Sequence, residues 1–156
     1  MFDTPVDAWY IWLGVTVASF VVFGVATELP TSPPPDATRA ANTVDVVAGC
    51  EYTATAEHPL SAREIKLGRR GLGLRGDDGS AHATFAHDSV VPIEEGTKLW
   101  RLLRGEHPST LFDSSSAFRS AARDAQNGRP TWKSAESTLL IRCVSWEGVD
   151  ATLVSG

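Results

Sequence analysis

The chain has 156 residues, with 14 Lys and Arg against 19 Asp and Glu, so its formal net charge is −5. An acidic balance of this kind argues against a general nucleic-acid binder, because such proteins carry basic surfaces that neutralise phosphates. Hydrophobic residues make up 42% of the chain, which is enough for one domain with its own core.

The chain begins with a long apolar stretch that carries no formal charge over residues 8–26. About 19 to 20 helical residues span the roughly 30 Å hydrocarbon core of a bilayer. The stretch therefore predicts a transmembrane helix over 8–27, preceded by a short tail over 1–7. A cleaved signal peptide and a buried helix of a water-soluble core are the alternatives, but the tail lacks the Lys and Arg of a signal peptide.

Two sets of side chains in this stretch predict specific contacts. Trp9, Tyr10 and Trp12 lie at one end, where amphipathic rings favour the membrane interface. Gly14 and Ala18 have the four-residue spacing of small residues that allows two helices to pack closely. The alternative is that both are ordinary members of an apolar helix.

A proline-rich linker over 28–37 follows, and its three consecutive prolines favour an extended polyproline conformation. The remaining residues, 38–156, are predicted to form one globular domain. The first helix is predicted over 37–49, since Asp36 is a suitable N-cap and Gly49 a suitable C-terminal stop.

The middle of the domain shows the alternation of apolar and polar residues that is typical of strands. Tight turns are predicted at 68–71 and 76–79, where glycines flank two charged residues. We therefore predict an antiparallel meander whose strands lie near 51–56, 65–67, 72–74, 81–85 and 90–93.

Helical spacing of apolar residues predicts two short helices over 97–104 and 113–126, and a terminal hairpin is predicted from strands over 138–146 and 149–154. The expected fold class is therefore α+β. It comprises an N-terminal transmembrane helix, a Pro-rich linker and a small antiparallel-sheet domain with two or three short helices.

The chain contains two cysteines, Cys50 and Cys143, which are candidates for a disulfide if the domain lies outside the cell. Two separate buried thiols are the alternative, because free cysteine packs as a small hydrophobic residue.

No motif predicts a catalytic, cofactor-binding or metal-binding residue. Residues 71–76 match G-x-G-x-x-G, but an acidic turn and a strand follow where a dinucleotide fold requires a helix. His82 and His87 would point to opposite faces of a strand, and the serines at 114–116 suit a helix N-cap. We therefore predict that the chain is not an enzyme and binds no cofactor or metal.

The predicted meander also carries a local group of basic residues. Lys66, Arg69, Arg70 and Arg75 fall within ten positions of one another. Such a patch suits an acidic partner or lipid headgroups. The alternative is that these are turn residues whose charges are simply solvated.

The early apolar helix with a β-rich head resembles type IV pilin-like proteins, to which Phe2 and Asp7 add a loose similarity. The whole chain also resembles an uncharacterised family of small haloarchaeal membrane-anchored proteins, on the segments FDTPVDAWYIWLG, PPPD and WEGVDATLV. This resemblance implies an extracytoplasmic head near pilus-like secretion machinery and no active site.

The leading hypothesis is thus a non-enzymatic, single-pass protein of the cell membrane, acting as a pilin-like or pilus- and secretion-accessory structural subunit. Its expected partners are membrane lipid and other transmembrane helices, through self-assembly or pilus-like machinery, with no nucleic acid. The alternative is an extracytoplasmic binding or sensor module tethered to the membrane. A tethered enzyme would require a polar cluster, and a cytoplasmic scaffold would fit the scarcity of basic residues before the apolar stretch.

Overall fold

The computed structural model describes residues 13–17, 35–49 and 51–156. The chain divides into two compact units, Met1–Pro33 and Pro34–Gly156. Of the first unit, only residues 13–17 are described, and they are helical. The elements named below all belong to the second unit.

The predicted transmembrane helix over 8–27 is wrong, and with it the single-pass membrane architecture. Among the described residues, no helix combines the length and apolarity that a membrane crossing requires. Of the range 8–27, the structure describes residues 13–17, which are helical. Apolar composition measures affinity for lipid, whereas a membrane span also requires a continuous helix of about 20 residues.

The second unit contains short helices and strands in a mixed order. The helices are α1 (Ala37–Ala48), α2 (Lys98–Leu103), α3 (Pro108–Leu111) and α4 (Ser115–Gln126). The strands are β1 (Ala54–Pro59), β2 (Glu64–Gly68), β3 (Gly71–Gly76), β4 (Gly79–Thr84), β5 (Val90–Pro92), β6 (Lys133–Ser134), β7 (Thr138–Trp146) and β8 (Val149–Ser155).

Helix α1 begins and ends where the capping residues predict. The Asp36 carboxylate accepts a hydrogen bond from the Arg39 backbone N–H at 2.9 Å, and Gly49 follows the last helical residue. The buried side chains of the helix all lie on one face, as the helical period requires: Ala37, Ala40, Ala41, Val44 and Val47.

The strands form two four-stranded sheets, so the α+β class stands but the single antiparallel meander is wrong. Sheet 1 has the order β1-β7-β8-β5, and β5 pairs with β8 in parallel. Sheet 2 has the order β4-β3-β2-β6 and is antiparallel. Of the strands predicted for the meander, only β2, β3 and β4 are neighbours of one another in a sheet. The alternating pattern identifies which face of a strand is buried, but it does not identify the neighbouring strand.

The central strands of sheet 1, β7 and β8, are covered on both faces. On one face, Ile141 and Val154 pack in a cluster with α1 and with residues of β2 and β3. On the other face, Val144 and Leu153 pack in a second cluster with residues of α2 and α4. Strands covered on both sides read as nearly continuous apolar runs, which explains the sequence of β7 and β8.

Cys143 lies in β7 with 3% of its surface exposed and is disulfide-bonded. The chain contains one other cysteine, Cys50, which lies outside the described residues. The pairing of these two cysteines stays a prediction.

Candidate functional site

A cavity of about 490 Å³ lies where the two hydrophobic clusters of the second unit meet. Leu67 of β2 contributes from the first cluster, whereas Ile93 and Leu99 contribute from the second. The remaining apolar lining comes from Phe112, which follows α3, and from Ala121 and Ala125 of α4. The cavity therefore has walls from several elements that are far apart in the chain.

Local sequence explains how α2 and α4 come to border the cavity. The Thr97 hydroxyl accepts a hydrogen bond from the Trp100 backbone N–H at 3.1 Å, and this cap begins α2 just before Leu99. Helix α4 begins after the Ser114 cap and presents Ala121 and Ala125, four residues apart, on one face. Because both side chains are small, the space beside them is left open.

The mouth of the cavity carries charges of both signs. Its lining includes the carboxylates Glu94 and Asp124 and the cations Lys98, Arg129 and Lys133. The Lys98 ammonium nitrogen lies 5.6 Å from the centroid of the Phe112 ring, within the range of a cation–π contact. An apolar interior with a few polar groups is the usual character of a small-molecule site.

A second concave surface, which we call the basic groove, has a volume of about 860 Å³ and lies at the β2–β3 turn. Its described lining includes Lys66, Arg69, Arg70 and His82, and contains no Asp or Glu. The groove is therefore a positively charged region on an acidic chain.

Three of the four residues in the predicted basic patch thus come together, while the fourth does not line the groove. Arg75 donates a hydrogen bond to the Glu64 carboxylate at 2.8 Å, across the β2–β3 pair. Its guanidinium carbon also lies 4.2 Å from the centroid of the Trp132 ring. Arg75 is therefore already neutralised by a carboxylate.

Three of the histidines each have a polar partner of their own. His58 is hydrogen-bonded to the Thr43 hydroxyl at 3.1 Å, and His87 Nδ1 lies 3.4 Å from the Asp45 carboxylate. His107 accepts a hydrogen bond from a backbone N–H and caps α3. In the described ranges, no group of three or more His, Cys, Asp and Glu is placed to hold a metal ion.

The residues predicted to act in the apolar stretch are mostly outside the described residues. Gly14 is described, and a Cβ atom added there would meet no atom within 4 Å among the described residues outside its own helix backbone. Ala18, Trp9, Tyr10 and Trp12 lie outside the described ranges. The helix-packing and interface roles assigned to these five residues stay predictions.

A pair of carboxyl groups occurs elsewhere on the surface. A hydrogen bond with the Glu95 side chain raises the pKa of Glu136 above its ordinary value of 4.5, and burial and the charge of Glu95 act in the same direction. Lys133 and Arg104 oppose this shift. Protonation therefore relieves repulsion between the two carboxylates in the folded state.

This pair predicts a dependence of stability on pH. Because the folded-state pKa of Glu136 is raised, its stabilising contribution is complete below pH 4.5 and is lost as the pH rises through the folded-state pKa. We expect Glu136→Gln to gain stability relative to wild type as the pH rises from about 4 to about 7. The gain should be only a few tenths of a kcal/mol, because solvent screens exposed charges.

Urea unfolding at a series of pH values measures this difference. Glu57→Gln is the matched control, since Glu57 is an exposed residue of β1, and it should show no such trend. A gain that grows towards low pH would show that the assignment of the pair is wrong.

Two short elements near the site were not predicted from the sequence. Helix α3 and the two-residue strand β6 were not expected, although a Pro at the first helical position after the capping residue His107 is a known start signal. The cavity itself has no local signature, because its lining comes from separate segments brought together by packing.

Comparison with protein families gives a match over most of this chain. The model described as "Family of unknown function (DUF7283)" matches residues 3–144, which is most of the sequence. The chain belongs to this family. No curated protein and no solved structure matches it.

Membership of DUF7283 confirms that the chain belongs to an uncharacterised family and confirms nothing more specific. The family description carries no source and no activity. Nothing in the comparisons supports a haloarchaeal origin or a likeness to pilins. The archaeal and pilus assignments are therefore withdrawn.

Proposed function

We propose that the second unit is a non-enzymatic binding module whose cavity of about 490 Å³ takes a small molecule with an apolar body. The single observation that carries this proposal is the cavity at the meeting of the two hydrophobic clusters. Ligand pockets are typically about 300–1,000 Å³ and mostly apolar, and this cavity fits both criteria.

The chemistry of the lining favours binding over catalysis. The described lining contains no His, Cys or Ser, and its two carboxylates, Glu94 and Asp124, belong to exposed residues. The Thr97 hydroxyl, which lies at the cavity, donates to the Glu94 carbonyl at 2.9 Å and caps α2. The charged groups at the mouth would instead orient a polar end of the ligand.

The disulfide at Cys143 supports an extracytoplasmic location for this module. Disulfides persist in oxidising compartments, whereas cytosolic thiols are kept reduced. The proposal therefore places the module where it would meet exported or environmental small molecules.

Binding of the neutral dye Nile red tests the cavity. Wild type should increase the dye's fluorescence on binding, and Ala125→Trp should weaken the affinity by about tenfold or more, because a filled cavity loses the buried apolar area that drives binding. Ala121→Leu, a smaller change in the same wall, should weaken it to a lesser degree. Both residues lie in the cavity lining.

Ala117→Trp is the matched control, because Ala117 is an exposed residue of α4 that does not line the cavity. It should bind the dye as wild type does. Absence of dye binding by wild type, or equal binding by wild type and both filled variants, would refute the proposed site.

A further inference from the structure

We infer that the basic groove is a binding site for multivalent oxyanions, that is, for ligands carrying two or more phosphate or sulfate groups. This site is separate from the apolar cavity and uses different chemistry, so the inference goes beyond the proposed function. It rests on Lys66, Arg69 and Arg70, which line one groove of about 860 Å³.

Some basic residues of this domain are paired with a carboxylate, whereas the three groove cations are not paired in the described ranges. Arg63 pairs with Asp77 at 2.7 Å, and Arg101 pairs with Glu106 at 2.7 Å. Over residues 35–49 and 51–156, the salt bridges found do not include any of the three groove cations. Like charges held close together repel one another, so an anion that neutralises them would be favoured.

The backbone explains why these side chains share one groove. Arg69 and Arg70 occupy the tight turn between β2 and β3, so they are adjacent at its tip. Lys66 lies opposite Gly73, which in turn lies opposite His82 on β4. Since paired residues share a face of the sheet, Lys66 and His82 flank a position without a side chain.

The glycine at this position cannot be replaced without crowding. A Cβ atom at Gly73 would lie 3.0 Å from the Trp132 ring and 3.0 Å from the His82 ring. The Trp132 and His82 rings meet edge to face, with centroids 5.9 Å apart. The sheet face beside Lys66 is thus closely packed.

The types of side chain in the groove suit phosphate and sulfate. Guanidinium groups donate two parallel hydrogen bonds to one oxyanion, and an ammonium group adds a point charge. Asn42 and Thr38 of α1 add neutral polar groups to the same lining. Three separate cations match the charge of a multivalent anion better than that of a single monovalent ion.

The groove and the apolar cavity are neighbours, since Gly128 and Pro130 belong to both linings. A test of the groove must therefore distinguish its loss from a loss of the cavity. The part of tripolyphosphate binding that depends on Arg69 and Arg70 reports on the groove, because neither residue lines the cavity, whereas the neutral dye Nile red reports on the cavity.

Isothermal titration of the full chain with tripolyphosphate, in about 0.1 M salt, tests the inference. We expect wild type to bind, and the double variant Arg69→Ala/Arg70→Ala to bind at least about tenfold more weakly, since hydrogen bonds to charged groups are among the strong ones. Lys66→Ala should weaken binding by a smaller factor. These residues are on the surface or half-buried, and circular dichroism confirms that each variant is folded.

The matched control is Arg119→Ala/Arg123→Ala, which removes the same charge from exposed residues of α4 outside the groove. This control should bind tripolyphosphate as wild type does. An equal loss in both double variants would show that overall charge, and not the groove, governs binding, and would overturn the inference.

A second arm distinguishes the source of the oxyanion. Vesicles of phosphatidylglycerol, compared with phosphatidylcholine, present the same group as a lipid headgroup. Binding of either tripolyphosphate or phosphatidylglycerol that depends on Arg69 and Arg70 supports the site, and identifies a free or a lipid source. If wild type binds neither, the inference is overturned. If wild type binds tripolyphosphate but does not bind Nile red, the proposed cavity site is refuted and the groove remains supported.

Discussion

We expect the Phe118→Ala substitution to lower the free energy of unfolding by about 3–5 kcal/mol. Phe118 is 0% exposed and is among the largest fully buried side chains of the described residues. Its ring centroid lies 5.5 Å from that of Phe112 and 6.3 Å from that of Trp146. Removal of the ring therefore leaves a void between α4 and sheet 1, in addition to the lost burial of apolar surface.

Urea unfolding followed by circular dichroism measures this loss. Tyr52→Ala is the control, because Tyr52 is an aromatic residue that is 80% exposed, and its removal should change stability by less than about 0.5 kcal/mol. Similar losses in the two variants would contradict the assignment of Phe118 to the core. Because Phe112 also lines the cavity, Phe118→Ala should additionally weaken Nile red binding.

We expect Cys143→Ala to destabilise the domain by about 4 kcal/mol under non-reducing conditions. Cys143 is disulfide-bonded, and the one other cysteine in the chain is Cys50. A disulfide between them would close a loop of about 90 residues, and the chain-entropy estimate for such a loop is somewhat above 4 kcal/mol. Alanine is preferred to serine here, since it leaves no unpaired hydroxyl at a buried position.

Thermal or urea unfolding with and without dithiothreitol measures the contribution of this bond. Reductant should destabilise wild type and leave Cys143→Ala unchanged. Cys50→Ala and the double variant should each match Cys143→Ala, because either change breaks the same bond. If Cys50→Ala keeps wild-type stability without reductant, the predicted pairing is wrong.

Apart from α3, the helices of the second unit could be predicted from local signals, and so could its hairpins. The start of α1 follows from Asp36, and that of α4 from the serines before it, because a cap involves residues only a few positions apart. The β2–β3 and β3–β4 turns follow from their flanking glycines for the same reason. Expectations failed where a partner lies far along the chain, as with β1 on β7 and β5 on β8.

The two candidate sites also differ in how far the sequence predicts them. Arg69 and Arg70 are neighbours in a turn, so their proximity to Lys66 was evident before the structure. The absence of Arg75 from the groove could not be predicted in this way, because its pairing with Glu64 depends on the register of two strands. The apolar cavity depends on several segments at once and has no counterpart in any one of them.

The sequence by itself determined the acidic charge, the α+β class, the capped helices and the local basic cluster, since each depends on composition or on residues within a few positions of one another. Only the tertiary structure decided that the strands form two sheets, that β7 and β8 are covered on both faces, and that a cavity lies between the two hydrophobic clusters. The physical reason is that apolar burial is non-directional. Alternation states which side chains must be covered, whereas close packing of the whole chain decides which residues cover them.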